Sequence, residues 1–186
     1  SGFSRTVTEI TTLISEPETQ FNAPRWSPDG RSIAVERHAL GGASEIVIVD
    51  AATSAVRVVA SAPSTRFVTP AWRPDGHAII AAAALEGEPF NLYEFAVGSS
   101  TSDRDEAARQ LTNTSGGATW PDISPDGATI VFVGYTPNGF DLFTMPYPTA
   151  SAAASAVGPI FRPGATQSAD EAVADLRDVD ARANRL

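Results

Sequence analysis

The sequence predicts an all-β chain, built as β-propeller blades of four antiparallel strands, and three observations carry that prediction. The stretch Trp26-Ser27-Pro28-Asp29-Gly30 returns as Trp72-Arg73-Pro74-Asp75-Gly76 and as Ile123-Ser124-Pro125-Asp126-Gly127, with Pro24, Pro70 and Pro121 each two residues ahead. The steps between copies, Pro28 to Pro74 and Pro74 to Pro125, are 46 and 51 residues, a period of blade length. Inside each period, short β-branched and apolar runs alternate with turn residues, which is the signature of several short strands. Gly30 to Ile46 and Gly76 to Leu92 are each 16 residues, and Gly127 to Leu142 is 15. The repeat therefore extends well past one tripeptide.

The Pro-Asp-Gly step is a hairpin turn on chemical grounds. Pro presets φ for the second position of a type I turn, Asp accepts a local N–H, and Gly takes the left-handed conformation that a side chain resists. Such a turn followed by a left-handed residue joins two antiparallel strands. Asp29, Asp75 and Asp126 are three carboxylates at one repeat position, and the turn accounts for all of them without a metal. Pro28, Asp29, Gly30, Pro74, Asp75, Gly76, Pro125, Asp126 and Gly127 are thus structural turn residues.

Taken in order, residues 1–148 read as a partial propeller. Thr6–Ile14 is β-branched and holds the place of the last strand of a preceding blade. The first blade, about 20–61, reads as Ala23–Ser27, Ser32–Arg37, Glu45–Val49 and Val56–Ala60. The second, about 67–113, has Asn91–Phe95 as its third strand and a long polar connection over Gly98–Ala107. The third, about 119–148, has Asp141–Met145 as its third strand. Residues 149–167 are rich in Ala, Ser and Pro and read as a linker. Residues 168–186 open with the capping-box pattern Ser168-Ala169-Asp170-Glu171 and place Val173, Leu176, Val179, Ala183 and Leu186 at helical spacing, so an amphipathic C-terminal helix is expected there. The count is three full blades, one extra strand and a helix.

Composition narrows the function classes. A chain of 186 residues with 42% hydrophobic and 19% charged residues is long enough for a sizeable core. A net charge of -9 disfavours nucleic acid, whose phosphates need a basic surface. No stretch has the length of a membrane span. Cys is absent, which removes disulfide and thiol chemistry. Every basic residue is Arg and Ala is abundant, a usage we read as bacterial and GC-rich. His38 and His77 stand in different repeat positions, which disfavours a metal pair or a catalytic base. No Gly-x-Ser-x-Gly elbow occurs, so no hydrolase nucleophile is predicted. Neither a cofactor nor a metal is expected.

The remaining site is a surface. First strands line a propeller's channel and the loops before them form one rim; the residues at those positions are Asn22, Arg25, Arg66, Thr69, Arg73, Thr119, Trp120 and Asp122, a set containing the Arg and Trp that dominate many binding surfaces. Trp26 and Trp72 are expected to pack between blades with their N–H groups bonded locally.

The pattern Pro-x-Trp-Ser-Pro-Asp-Gly, an apolar strand, a Gly-containing loop and Asp-Leu-Phe-x-Met at Asp141–Met145 resembles the WD-like repeat of TolB-type propellers. It also resembles the propeller domains of prolyl oligopeptidases and dipeptidyl peptidases. The resemblance covers about Thr6 to Tyr147 and carries no catalytic residue of those families. It implies a ring of six or more blades, a protein or peptide partner at the channel rim, and a periplasmic or cell-envelope setting. The leading expectation is a non-catalytic protein–protein interaction module. The alternative is the propeller of a serine peptidase, gating access to a hydrolase domain that lies elsewhere; a carbohydrate-active propeller is a weaker third, with Asp122 alone well placed. Three blades do not close a ring, so the chain is expected either to be a fragment of a longer protein, which Thr6–Ile14 favours, or to self-associate.

Overall fold

The computed structural model describes residues 10–98 and 108–148. They form three antiparallel sheets. The first runs β1 (Thr19–Trp26), β2 (Ser32–Ala39), β3 (Ser44–Asp50) and β4 (Val56–Ala60), in that order. The second runs β5 (Thr65–Trp72), β6 (Ala78–Leu85), β7 (Asn91–Ala96) and β8 (Arg109–Gln110). The third contains β9 (Ala118–Ile123), β10 (Thr129–Thr136) and β11 (Gly139–Pro146). Each sheet meanders outward from its first strand, as a propeller blade does. The third holds three strands among the described residues, where four were expected.

Each Pro-Asp-Gly sits in the turn after the first strand of its sheet, and its bonds show why. The Ser27 hydroxyl donates to Asp29 Oδ1 at 2.6 Å, which also accepts the Arg31 N–H at 3.1 Å, while the Ser32 N–H donates to Ser27 Oγ at 2.9 Å. Ser124, Asp126, Ala128 and Thr129 repeat the pattern. The Ser hydroxyls first, and then the backbone N–H groups, hold the Asp29 and Asp126 carboxyls below the ordinary carboxylate range. In the second turn Arg73 replaces the Ser and its Nε lies 3.1 Å from Asp75, which still accepts the His77 N–H. Gly30, Gly76 and Gly127 have φ of 69°, 75° and 70°, the left-handed value the turn requires.

The sheets stack face to face. Ala34, Ile46 and Ile48 of the first pack on Phe67, Ile79 and Phe95 of the second, with the Phe67 and Phe95 rings edge to face at 6.0 Å. Ile80, Ala82 and Leu92 on the other face of the second sheet pack on Ala118, Ile130 and Phe132 of the third. Polar ties cross the same gaps. Ser44 Oγ donates to the Phe67 carbonyl at 2.7 Å and accepts the Phe67 N–H at 3.0 Å. The Trp72 indole N–H donates to the Arg25 carbonyl at 3.0 Å, and the Ala118 N–H to the Phe90 carbonyl at 2.7 Å.

Two expectations are revised, and three fall outside this description. Of the strand expected over 6–14, the described residues 10–14 are not in a strand; a strand needs a neighbouring edge to bond, and none lies beside them among the described residues. Leu13 and Ile14 instead pack on Val35, Val47 and Val49, on the face of the first sheet turned away from the second. Trp72 packs between sheets as expected, but Trp26 is 61% exposed, because no described sheet precedes the first. The linker over 149–167, the helix over 168–186 and most of the connection over 98–107 lie outside the described residues.

Candidate functional site

The first strands of the three sheets, β1, β5 and β9, are neighbours, and each is broken at one place. The register shifts between Asn22 and Arg25, between Val68 and Ala71, and opposite Val131 and Val133 on β9's partner. At each break a non-glycine residue takes a positive φ just ahead of the proline: Ala23 at 48°, Thr69 at 52° and Trp120 at 52°. Such a conformation costs on the order of 1–3 kcal/mol and persists only where surrounding structure enforces it. Here Pro70 and Pro121 are buried, and the Trp120 N–H donates to Thr69 Oγ1 of the adjacent blade at 3.1 Å. The bulges therefore lock neighbouring inner strands together and re-aim the side chains beside them.

The eight predicted rim residues do not form one cluster. Asn22, Arg25, Trp120 and Asp122 are exposed on inner strands, and Trp120 is 54% exposed. Thr119 is half-buried and Thr69 is buried in the bulge bond just described. Arg66 and Arg73 stand at opposite ends of β5. Arg66 lies over the Phe90 ring, 5.7 Å from its centroid.

Arg73 is turned toward a polar cluster between the second and third sheets. It lies 3.4 Å from Glu94, which also pairs with Arg109, and its guanidinium sits 5.3 Å from the Tyr147 ring centroid. The Tyr147 hydroxyl donates to Glu94 Oε1 at 3.0 Å. Burial first, and then the Glu94 charge, push that hydroxyl well above the usual tyrosine range. This cluster ties two blades together; it leaves Arg73 little freedom to serve a partner at the rim.

Sequence reasoning missed a cleft of about 1040 Å³ between the first and second sheets, lined by His38, Ser44, Pro63, Arg66, Leu85 and Phe90 among others. Three connections meet there: the β2–β3 loop, the β4–β5 crossing and the β6–β7 loop. The signal was present in Gly41 and Gly42 of the loop between β2 and β3, but a loop's sequence does not say which other loops it will face. His38 Nδ1 lies 3.7 Å from Glu36, while His77 is exposed in the turn before β6. Among the described residues no group of three or more His, Asp or Glu is placed to hold a metal.

Comparison with known proteins agrees with this architecture. The family model of the TolB beta propeller domain matches residues 9–171. No curated protein matches the sequence. Among solved structures the chain is similar to TolB from Acinetobacter baumannii, with 22% identity and a TM-score of 0.57 over 73% of this chain and 32% of that one. It is similar to a TolB-type protein from Agrobacterium tumefaciens, with 19% identity and a TM-score of 0.58 over 72% of this chain and 47% of that one. A puromycin-hydrolyzing peptidase from Mycobacterium tuberculosis matches with 14% identity and a TM-score of 0.56, over 84% of this chain and 23% of that one. The chain thus spans less than half the length of each of these structures, and likeness at such identity shows the fold alone.

Proposed function

Because the chain belongs to the TolB β-propeller domain family, we propose that it is a binding module without catalysis of its own, holding a protein or peptide partner on its inner-strand surface in the bacterial cell envelope. The family match over residues 9–171 is the observation that carries this reading. The surface supports it. A uniform backbone presents four chemically different exposed side chains, Asn22, Arg25, Trp120 and Asp122, and a large aromatic beside hydrogen-bonding and charged groups suits a partner that is part apolar and part polar.

A photo-crosslinking side chain placed at Asn22 or Trp120 of the protein in its native host tests this. A discrete periplasmic adduct at those positions, absent when the same group replaces Asp75 in its turn, is the expected result. Equal labelling at all three sites overturns the reading. The wider coverage of the mycobacterial peptidase structure supports a second reading, a propeller that gates a serine peptidase. On that reading the native gene product hydrolyses short peptides, and Trp120→Ala changes which lengths it cuts.

A further inference from the structure

We infer that the cleft between the first and second sheets is a separate binding site that takes the C-terminal end of a peptide: an apolar last residue seats in the cleft and its terminal carboxylate pairs with Arg66. None of Asn22, Arg25, Trp120 and Asp122 lines this cleft, so the inference does not rest on the inner-strand role proposed above.

The cleft lies where the two four-stranded sheets meet, and the repeat shows why space opens there. Ser44 and Phe67 hold the repeat positions of Phe90 and Ala118. At the junction of the second and third sheets, the Ala118 N–H bonds the Phe90 carbonyl directly at 2.7 Å. At the junction of the first and second, the Phe67 N–H bonds the Ser44 hydroxyl instead, and that hydroxyl donates onward to the Phe67 carbonyl. A bond made through a side chain sets two backbones farther apart than a direct one. The residue between the two blades differs too. Arg66 has Gly117 as its counterpart in the third blade and Gln20 in the first, so the cation belongs to this junction and not to the repeat.

The charges select the ligand. Arg37, Arg73 and Arg109 are each paired with a glutamate. Arg66 is exposed, makes no ion pair among the described residues, and holds its guanidinium 5.7 Å from the centroid of the Phe90 ring. Stacking on a ring steadies the planar fork while its N–H donors stay open, and the fork matches the two oxygens of a carboxylate. His38 also lines the cleft, but Glu36 already lies 3.7 Å from its Nδ1. Ala62, Pro63, Ala84, Leu85 and Phe90 supply an apolar wall beside Arg66. A carboxylate joined directly to an apolar side chain is what the last residue of a peptide offers. The volume of about 1040 Å³ reaches the top of the roughly 300–1,000 Å³ range of small-ligand sites, which leaves room for the residues ahead of the last one. Glu86 and Glu88 line the cleft from the β6–β7 loop and make no ion pair among the described residues. They oppose a second anion and favour a basic residue upstream. The occupant is therefore a peptide with an apolar C-terminal residue and a Lys or Arg shortly before it.

Fluorescence anisotropy with the labelled pentapeptide Ala-Lys-Ala-Ser-Phe, made once with a free C-terminal carboxylate and once as the amide, tests this. The free acid should bind, and the amide should bind roughly tenfold or more weakly, as loss of a charge-assisted pair implies. Arg66→Gln should hold the two forms equally. Arg66→Lys should restore part of the difference, because it keeps the charge without the fork. Arg31→Gln removes the same charge from an exposed position outside the cleft and should leave the preference intact. Exchanging the peptide's Lys for Glu should weaken binding several-fold at low salt, and the Glu86→Gln, Glu88→Gln double variant should lose that sensitivity. All four substituted positions are exposed, and circular dichroism verifies that each variant is folded. No binding of the free acid up to about 1 mM overturns the inference. Equal affinity for acid and amide assigns the cleft to apolar segments of any kind and overturns it equally, as does a preference for the acid that survives Arg66→Gln.

Discussion

β6 and β10 hold the same place in successive blades, and they are buried in opposite ways. β6, Ala-Ile-Ile-Ala-Ala-Ala-Ala-Leu, is buried at every residue but its last. β10, Thr-Ile-Val-Phe-Val-Gly-Tyr-Thr, alternates between half-buried and buried residues as far as Gly134, and Tyr135 after it is exposed. The strand with the larger apolar side chains is therefore the more exposed one. Apolar character alone does not bury a strand; a sheet on each side does. Where two sheets close on β6, side chains must be small enough to share a narrow gap, and Ala81, Ala82 and Ala83 fill it. Where one face of β10 stays open, large residues such as Tyr135 have room.

The sharpest way to break this comparison is to truncate an aromatic on either side of it. Phe67→Ala, at a fully buried position between the first two sheets, should cost about 3–5 kcal/mol of unfolding free energy by urea titration. Phe140→Ala, at an exposed position of the third sheet, should change stability by no more than about 0.5 kcal/mol. Similar losses at the two sites would mean that the third sheet is covered within the chain. Enlarging a side chain is a milder probe. Ala82→Leu in β6 should destabilise by about 1–3 kcal/mol through overpacking, while Val133→Leu at the equivalent place in β10 should be nearly silent in the same assay.

Ser44→Ala tests the polar side of the comparison. It strands the Phe67 N–H and carbonyl that the hydroxyl now satisfies across the blade gap, and about 1–3 kcal/mol should be lost. The smallest effect is expected from the turns, which do not depend on neighbours at all. Asp29 and Asp126 have lowered folded-state values. Their contribution is complete above the unfolded carboxylate value of about 4 and is lost as pH falls through the lower folded values. The Asp29→Asn, Asp126→Asn double variant should accordingly lose less stability on acidification below about pH 4 than the parent does. An unchanged acid limb in an unfolding-versus-pH series would remove these turns from the account.

What was legible in the sequence follows the same division. Turn chemistry is local, so Pro28-Asp29-Gly30 and its two copies placed three hairpins and, through them, the propeller architecture. The apolar runs after the first and third turns became β2 and β10 because their β-branched residues suit a strand, whereas the Ala-rich β6 is a strand through its place in the hairpin and between two sheets. Whatever depends on a neighbour was not legible. Ile10–Ile14 has a strand's composition but no described edge to bond. Trp26 and Trp72 have the same sequence surroundings, yet only Trp72 meets a preceding sheet. The rim set scattered for a geometric reason: the six β5 residues 67–72 separate Arg66 from the turn that holds Arg73, and the Glu94 that claims Arg73 lies on β7, 21 residues away. The left-handed residues at 23, 69 and 120 gave no warning either, because none is Gly.

Those three residues have a bearing on how such a molecule can diversify. The kink at each is set by its backbone, its following proline and the register of the strand beside it, and the structure accepts a methyl group, a hydroxyl and an indole there in turn, at Ala23, Thr69 and Trp120. Where the side chain takes no part in the tie between blades, as at positions 23 and 120, it is an interchangeable slot in a fixed mounting; at 69 the Thr hydroxyl belongs to the mounting itself. A library randomised at 23 and 120, with Thr69 and its bond to the Trp120 N–H, the prolines and the turns untouched, should therefore yield folded proteins that differ mainly in what they grip.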